Sequence, residues 1–121
     1  MSKFRVMVVK KNGQPVGVRA AAINGRTIVL ALRDEPNLMN WHDAVKLGIP
    51  SKEEWMAISE NLAAVNKALV RAGGEPLEKI WYWSSSESGY GWAWSLSLGC
   101  SHGLGHSCED NPGYTRSVLA F

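Results

Sequence analysis

From Ser84 to Ser117 the chain carries nine serines and six glycines, and no lysine, glutamine, methionine or isoleucine. Such a stretch cannot build an amphipathic helix or a core of its own. Serine competes for backbone hydrogen bonds, and glycine loses the most freedom on ordering. The segment is therefore confined to short strands and turns laid over a core made elsewhere, with a solvent-facing surface. Four of the six tryptophans (Trp81, Trp83, Trp92 and Trp94) fall within fourteen residues, 81–94, that overlap its start.

The remainder must supply the core, and its pattern does. FRVMVV (4–9), the region 16–22 and RTIVLAL (26–32) read as three strands separated by Asn12-Gly13 and Asn24-Gly25 turns, an antiparallel meander. RDEPN (33–37) interrupts. Asn40 then caps a first helix with Trp41 and Val45 one turn apart and Gly48 as its stop. Ser51-Lys52-Glu53-Glu54 is a capping box opening a second helix. Its stripe of Trp55, Ile58, Leu62, Val65 and Leu69 runs to Gly73-Gly74. WYWS and WAWSLSL read as further strands, and TRSVLAF (115–121) as the last. The fold class is α+β, with two helices and small antiparallel sheets, and 121 residues fit one domain, 1–121.

Composition narrows the function classes. A net charge of +2 with no Lys/Arg stripe argues against nucleic acid. The apolar run near the start (VMVV, 6–9) is too short for a signal-peptide core, and no stretch reaches the length of a membrane span. The expectation is a soluble protein without membrane insertion, carried outside the cell only by a larger assembly.

CSHGLGHSC (100–108) is palindromic. Were Gly103-Leu104-Gly105 a tight turn, Cys100 would face Cys108 and His102 would face His106, all on one face of a ribbon. Two cysteines and two histidines can hold zinc, the cysteines can pair, or the four can be unliganded surface residues. The last is our expectation: no metal and no cofactor. EPN (35–37) matches the sugar-binding tripeptide of calcium lectins through Glu35 and Asn37, but its place before the first helix fits a plain turn. A nucleophile–base pair drawn from Cys100 with His102, or Ser101 with His106, has no third group to orient the histidine. No catalysis is expected. The aromatic, serine and glycine mixture has instead the chemistry of a binding surface: rigid aromatic anchors among small adaptable polar residues.

Trp41-His42-Asp43-Ala44, Pro50-Ser51-Lys52-Glu53-Glu54, Tyr82-Trp83-Ser84-Ser85-Ser86-Glu87, Ala93-Trp94 and Arg116 with Ala120-Phe121 together resemble C-type-lectin-fold domains related to formylglycine-generating enzymes. In particular they resemble the variable proteins of diversity-generating retroelements of phages and gut bacteria. The resemblance spans about Val16 to Phe121. It implies a receptor-recognition module on a C-type-lectin-like scaffold, its surface diversified at adenines of the gene's last stretch. The partner would be a protein or glycan receptor on a cell surface, met from a phage virion or another cell surface.

Randomised Asn codons cannot produce Lys, Gln, Met, Glu or Trp, which agrees with the absence of the first three after residue 83. Glu87 and Trp94 match the family's constant positions; Trp92 and Glu109 are likewise beyond the reach of such codons. The implied ligand-facing set is Ser88, Gly89, Tyr90, Gly91, Trp92, Ser95, Ser97, Ser101, His102, Leu104, His106, Asp110, Asn111 and Tyr114. Strand alternation in WAWSLSL, with Trp94, Leu96 and Leu98 on one side, independently turns Ser95 and Ser97 to the other. Two departures stand out: Gly48-Ile49-Pro50 replaces a longer family stretch, and the enzymes' paired active-site cysteines have no match. The alternatives are a metal- or thiol-dependent enzyme of that kind and a calcium-dependent lectin.

Overall fold

Both Asn-Gly pairs form the turns their chemistry favours. Asn12 and Gly13 (φ 53° and 80°) and Asn24 and Gly25 (φ 52° and 75°) all lie in the left-handed region, as a hairpin turn matching the strand twist requires. In the computed structural model, which describes residues 4–98 and 103–119, these turns join β1 (Met7–Lys11), β2 (Gln14–Ile23) and β3 (Arg26–Ala31) into one antiparallel sheet ordered β1-β2-β3. The apolar run of β3 is buried at Ile28, Val29 and Leu30, as its continuity implies.

Local capping sets the helices. Asn40 Oδ1 accepts from the Asp43 N–H (2.9 Å) at the start of α1 (Trp41–Leu47), and Gly48 (φ 85°) ends it. Ser51 and Glu54 satisfy each other's backbone N–H groups at the start of α2 (Lys52–Glu60). The single second helix expected from the apolar stripe is in fact two, α2 and α3 (Leu62–Arg71), divided at Asn61. Asn61 leaves helical geometry (φ −112°, ψ 19°) and turns its amide toward the Ala20 carbonyl, the side-chain competition that makes Asn a poor helix interior. The stripe survives the break: Trp55, Ile58, Val65 and Leu69 are fully buried.

The second sheet, β4 (Trp81–Gly89), β5 (Trp92–Ser97) and β6 (Leu104–Cys108), is antiparallel in the order β4-β5-β6. Its β4 and β5 strands are buried on both faces at their base, while Leu104–His106 of β6 are exposed. Tyr82 and Leu96 join Val18, Leu30, Trp55 and Leu69 in the main core, while Trp83 and Ala93 pack with Trp41, Ala44 and Ile49 in a second one. Three indole N–H groups cross-link the layers, from Trp41 to the Ser84 carbonyl (2.7 Å), Trp55 to that of Trp83 (3.0 Å), and Trp83 to that of Met39 (2.9 Å). Each aromatic thus brings both burial and a satisfied donor. Ser85 N–H bonds the Pro50 carbonyl and Ser86 Oγ takes the Lys52 N–H, so β4 is also tied to the start of α2.

The last strand expected over 115–121 is not formed; within the described part only a bridge between Leu30 and Val118 remains. Ala31 N–H bonds the Ser117 carbonyl and Leu119 N–H that of Val29 on either side of this bridge, while Val118 N–H points the other way to the Gly48 carbonyl. Among the described residues no helix is long and apolar enough to cross a membrane.

Gly113 sits where no side chain fits. A Cβ there would lie 2.5 Å from Trp83 Nε1 and 2.6 Å from Trp81 Cζ3. We expect Gly113→Ala to lower stability by about 1–3 kcal/mol through overpacking, read as a reduced urea midpoint. An unchanged midpoint would mean that the Trp81 ring swings aside freely.

Candidate functional site

The β4–β5 hairpin closes at the Gly89–Trp92 pair, leaving Tyr90 and Gly91 (φ 78°) as its tip. Tyr90 has nothing to pack against there and is 104% exposed, while Trp92 is 46% exposed. One face of the hairpin carries a column of rings. Trp94 pairs across the sheet with His106, whose ring lies 5.8 Å from that of Trp94 and 5.4 Å from that of Trp92. Ser88 Oγ shares a hydrogen bond with His106 Nδ1 (3.3 Å), and Lys52 Nζ stands 4.8 Å from the Trp94 ring centre. Leu104, Gly105, Asp110 and Asn111 are exposed, with Ser88 and Gly91 half-buried, whereas Tyr114, also exposed, lies off the outer edge of β4, bridged to Tyr82 with the two rings 6.4 Å apart.

Ser95 requires correction. The expected alternation holds, since Leu96 and Leu98 are core, but the opposite face is not open to solvent there. Ser95 pairs with Trp83 and Gly105 and is only 5% exposed, because the second core covers that side of the sheet. Ser97 is half-buried, also short of a free display position, and pairs with Trp81. The palindrome's proposed turn is corrected too. Leu104 and Gly105 belong to β6, opposite Leu96 and Ser95, so Gly103-Leu104-Gly105 does not reverse the chain. Cys100, Ser101 and His102, with the zinc and disulfide readings built on them, lie outside the described residues. Cys108 is half-buried and has no disulfide partner among the described residues. Glu35 belongs to a tether, its N–H bonding the Thr115 carbonyl (2.8 Å).

No known family, curated protein or solved structure matches the chain.

At the hairpin tip lies a group that sequence reasoning did not assemble. His42 on α1, Glu87 on β4, Tyr90 and Gly91 of the tip, Cys108 at the end of β6, and Glu109 and Asp110 just after it line a depression of about 410 Å³. Glu109 is held by its backbone: its N–H bonds the Gly91 carbonyl and its carbonyl accepts from Trp41 N–H, both at 3.0 Å. Its side chain is 7% exposed, with Oε1 3.5 Å from His42 Nε2. Oε2 is buried without a hydrogen-bond donor.

Burial raises the Glu109 pKa above its ordinary 4.5; the Glu87 carboxyl in hydrogen-bonding reach, its charge and that of Asp110 push it further up, against His42. Two ionised carboxylates offer only acceptors, so Glu87 and Glu109 can bond only through a shared proton. The available signal was compositional: Glu87, Glu109 and Asp110 are the acids of a segment whose single Lys/Arg is Arg116. Among the described residues no three His, Cys, Asp or Glu side chains are placed to hold a metal ion.

Proposed function

We propose that this protein is a ligand-binding module, presenting a diversified receptor-recognition surface on a C-type-lectin-like scaffold, with no catalytic role. The observation carrying this reading is Tyr90, wholly exposed at the tip of a hairpin whose root is clamped by buried tryptophans. A large exposed ring on a rigid mount provides contact area at little entropic cost on binding. Trp92 and His106 extend the aromatic surface, and Ser88, Asp110 and Asn111 supply adaptable polar contacts around it. The partner is a protein receptor on a cell surface, met by a phage virion or another cell that carries this domain.

Tyr90→Ala is expected to reduce binding of the labelled protein to receptor-bearing cells by about 10- to 100-fold, as loss of an interface anchor does. Its melting temperature should stay at the wild-type value, because the ring contributes nothing to the core. Equal binding by both proteins overturns the reading. The diversification component is tested by DNA sequencing beside the gene. It predicts a near-copy of the 3′ end that differs at adenines, next to a reverse transcriptase gene.

A further inference from the structure

We infer that the depression between α1 and the hairpin tip is a subsite for one arginine side chain of the protein partner, its guanidinium held by Glu87 and Glu109 beside the ring of Tyr90. The inference rests on the reading of this surface as the recognition face and gives it a chemical preference.

The carrying observation is Glu109. Its backbone already performs the structural work of joining Gly91 to Trp41, which any residue can do. Its side chain adds a buried oxygen, Oε2, with no donor, and a buried acceptor left unpaired is costly. A second carboxyl, Glu87, lies in hydrogen-bonding reach and worsens the repulsion whenever both are ionised. Among the described residues no lysine or arginine forms an ion pair with either acid; Glu109 has only His42, at 3.5 Å. Beyond His42 and a proton shared by the two acids, the site lacks positive charge and donors, and both would come from outside.

A guanidinium supplies them in one group. Its planar fork of N–H donors matches carboxylate oxygens, and its face stacks on an aromatic ring such as that of Tyr90. A cleft of about 410 Å³ lies within the range of small-ligand sites.

The groups facing the site are Glu87 from β4, Glu109, Asp110 and Cys108 at the end of β6, His42 from α1 and Tyr90 from the tip. Glu109 fixes the direction of the pH dependence. In the empty site burial and the neighbouring Glu87 keep a proton on the Glu109 carboxyl above the ordinary carboxylate range. Where that proton is bound, the guanidinium must displace it. Raising the pH removes this competitor, so affinity rises with pH.

The test is an NMR titration of the isotopically labelled protein with N-acetylarginine amide and, separately, with N-acetylcitrulline amide, its uncharged isostere. We expect saturable arginine-induced shifts confined to the amides of residues 42, 87–91 and 108–110, with millimolar affinity. Binding should strengthen about tenfold between about pH 4.5 and about pH 7.5. It should disappear with citrulline and in Glu87→Gln/Glu109→Gln. Glutamines keep the shape and supply donors, so this variant should melt no lower than wild type at neutral pH.

Equal shifts by citrulline, retained binding in the double variant, or affinity that falls with rising pH each overturns the inference. The two readings fail separately. Should arginine not bind while Tyr90→Ala still abolishes cell binding, the subsite falls and the recognition surface stands. Should arginine bind while Tyr90→Ala leaves cell binding intact, the recognition reading falls.

Discussion

Arg116→Ala is expected to lower folding stability by about 3–5 kcal/mol, the usual effect of removing one partner from a buried ion pair. Arg116 is fully buried, and it makes four hydrogen bonds. Nε bonds Asp34 Oδ1 at 2.7 Å, Nη1 the Ala31 carbonyl at 3.0 Å, and Nη2 the carbonyls of Glu75 (3.0 Å) and Pro76 (3.2 Å). One side chain thereby joins the end of β3, the loop after α3 and the C-terminal segment.

Asp34 in turn accepts from the Tyr82 hydroxyl, which takes the Glu78 N–H. Burial, with the charge of Asp34 acting the same way, pushes the Tyr82 pKa well above its ordinary 10.0, so the phenol remains the donor this network needs. Truncating Arg116 takes a donor from three carbonyls and leaves Asp34 with the Tyr82 hydroxyl in place of its ion pair, and each lost bond has its own desolvation cost. Lysine cannot restore the fork, so Arg116→Lys should recover only part of the loss. The measurement is urea unfolding. A domain of this size has about 5–15 kcal/mol in total, so the variant should approach marginal folding. A loss below about 1 kcal/mol would show that water can replace the guanidinium.

Trp83→Ala should be comparably damaging, at about 3–5 kcal/mol for a buried large-to-small change. The Trp83 ring is fully buried, packs edge-on against Trp81 at 5.2 Å, and holds the Met39 carbonyl through its N–H. The damage should also be local. Trp83 and Ala93 are the contribution of β4 and β5 to the second core, which holds the hairpin against α1, whereas β1, β2 and β3 rest on the main core. Hydrogen exchange should therefore accelerate more at the β5 amides of Trp92–Ser97 than at those of β2. On the proposed binding role, partner binding should weaken as well, because the mount of Tyr90 has loosened. Equal acceleration in both sheets would mean that the two cores act as one cooperative unit.

Which parts of this architecture were legible beforehand follows from the range of the forces. The Asn-Gly turns need only the tolerance of asparagine and glycine for positive φ. The Asn40 cap and the Ser51–Glu54 box need partners three residues away. Exposure of Tyr90 and Trp92 could be read from their polar, glycine-rich surroundings, since nothing nearby could bury them. Composition misled where the burying surface came from elsewhere. Ser84, Ser95, Thr115 and Arg116 lie in the serine- and glycine-rich third yet are buried. Local pattern assigns Ser95 correctly to the face opposite Leu96, but it cannot know that Trp41 and Trp83 build a second core on that face.

The sequence by itself determined the turns, the caps, the apolar stripe of the helices and the mixed α+β character, because each depends on backbone preferences and spacings within a few residues. Tertiary structure alone decided the three contacts that matter most here: Arg116 reaching Asp34 across 82 positions, the indole of Trp41 reaching the Ser84 carbonyl across 43, and His42, Glu87 and Glu109 meeting at one depression. The physical reason is that packing joins groups by direction and distance in space, and a dense core turns those remote pairings into the geometry of a site.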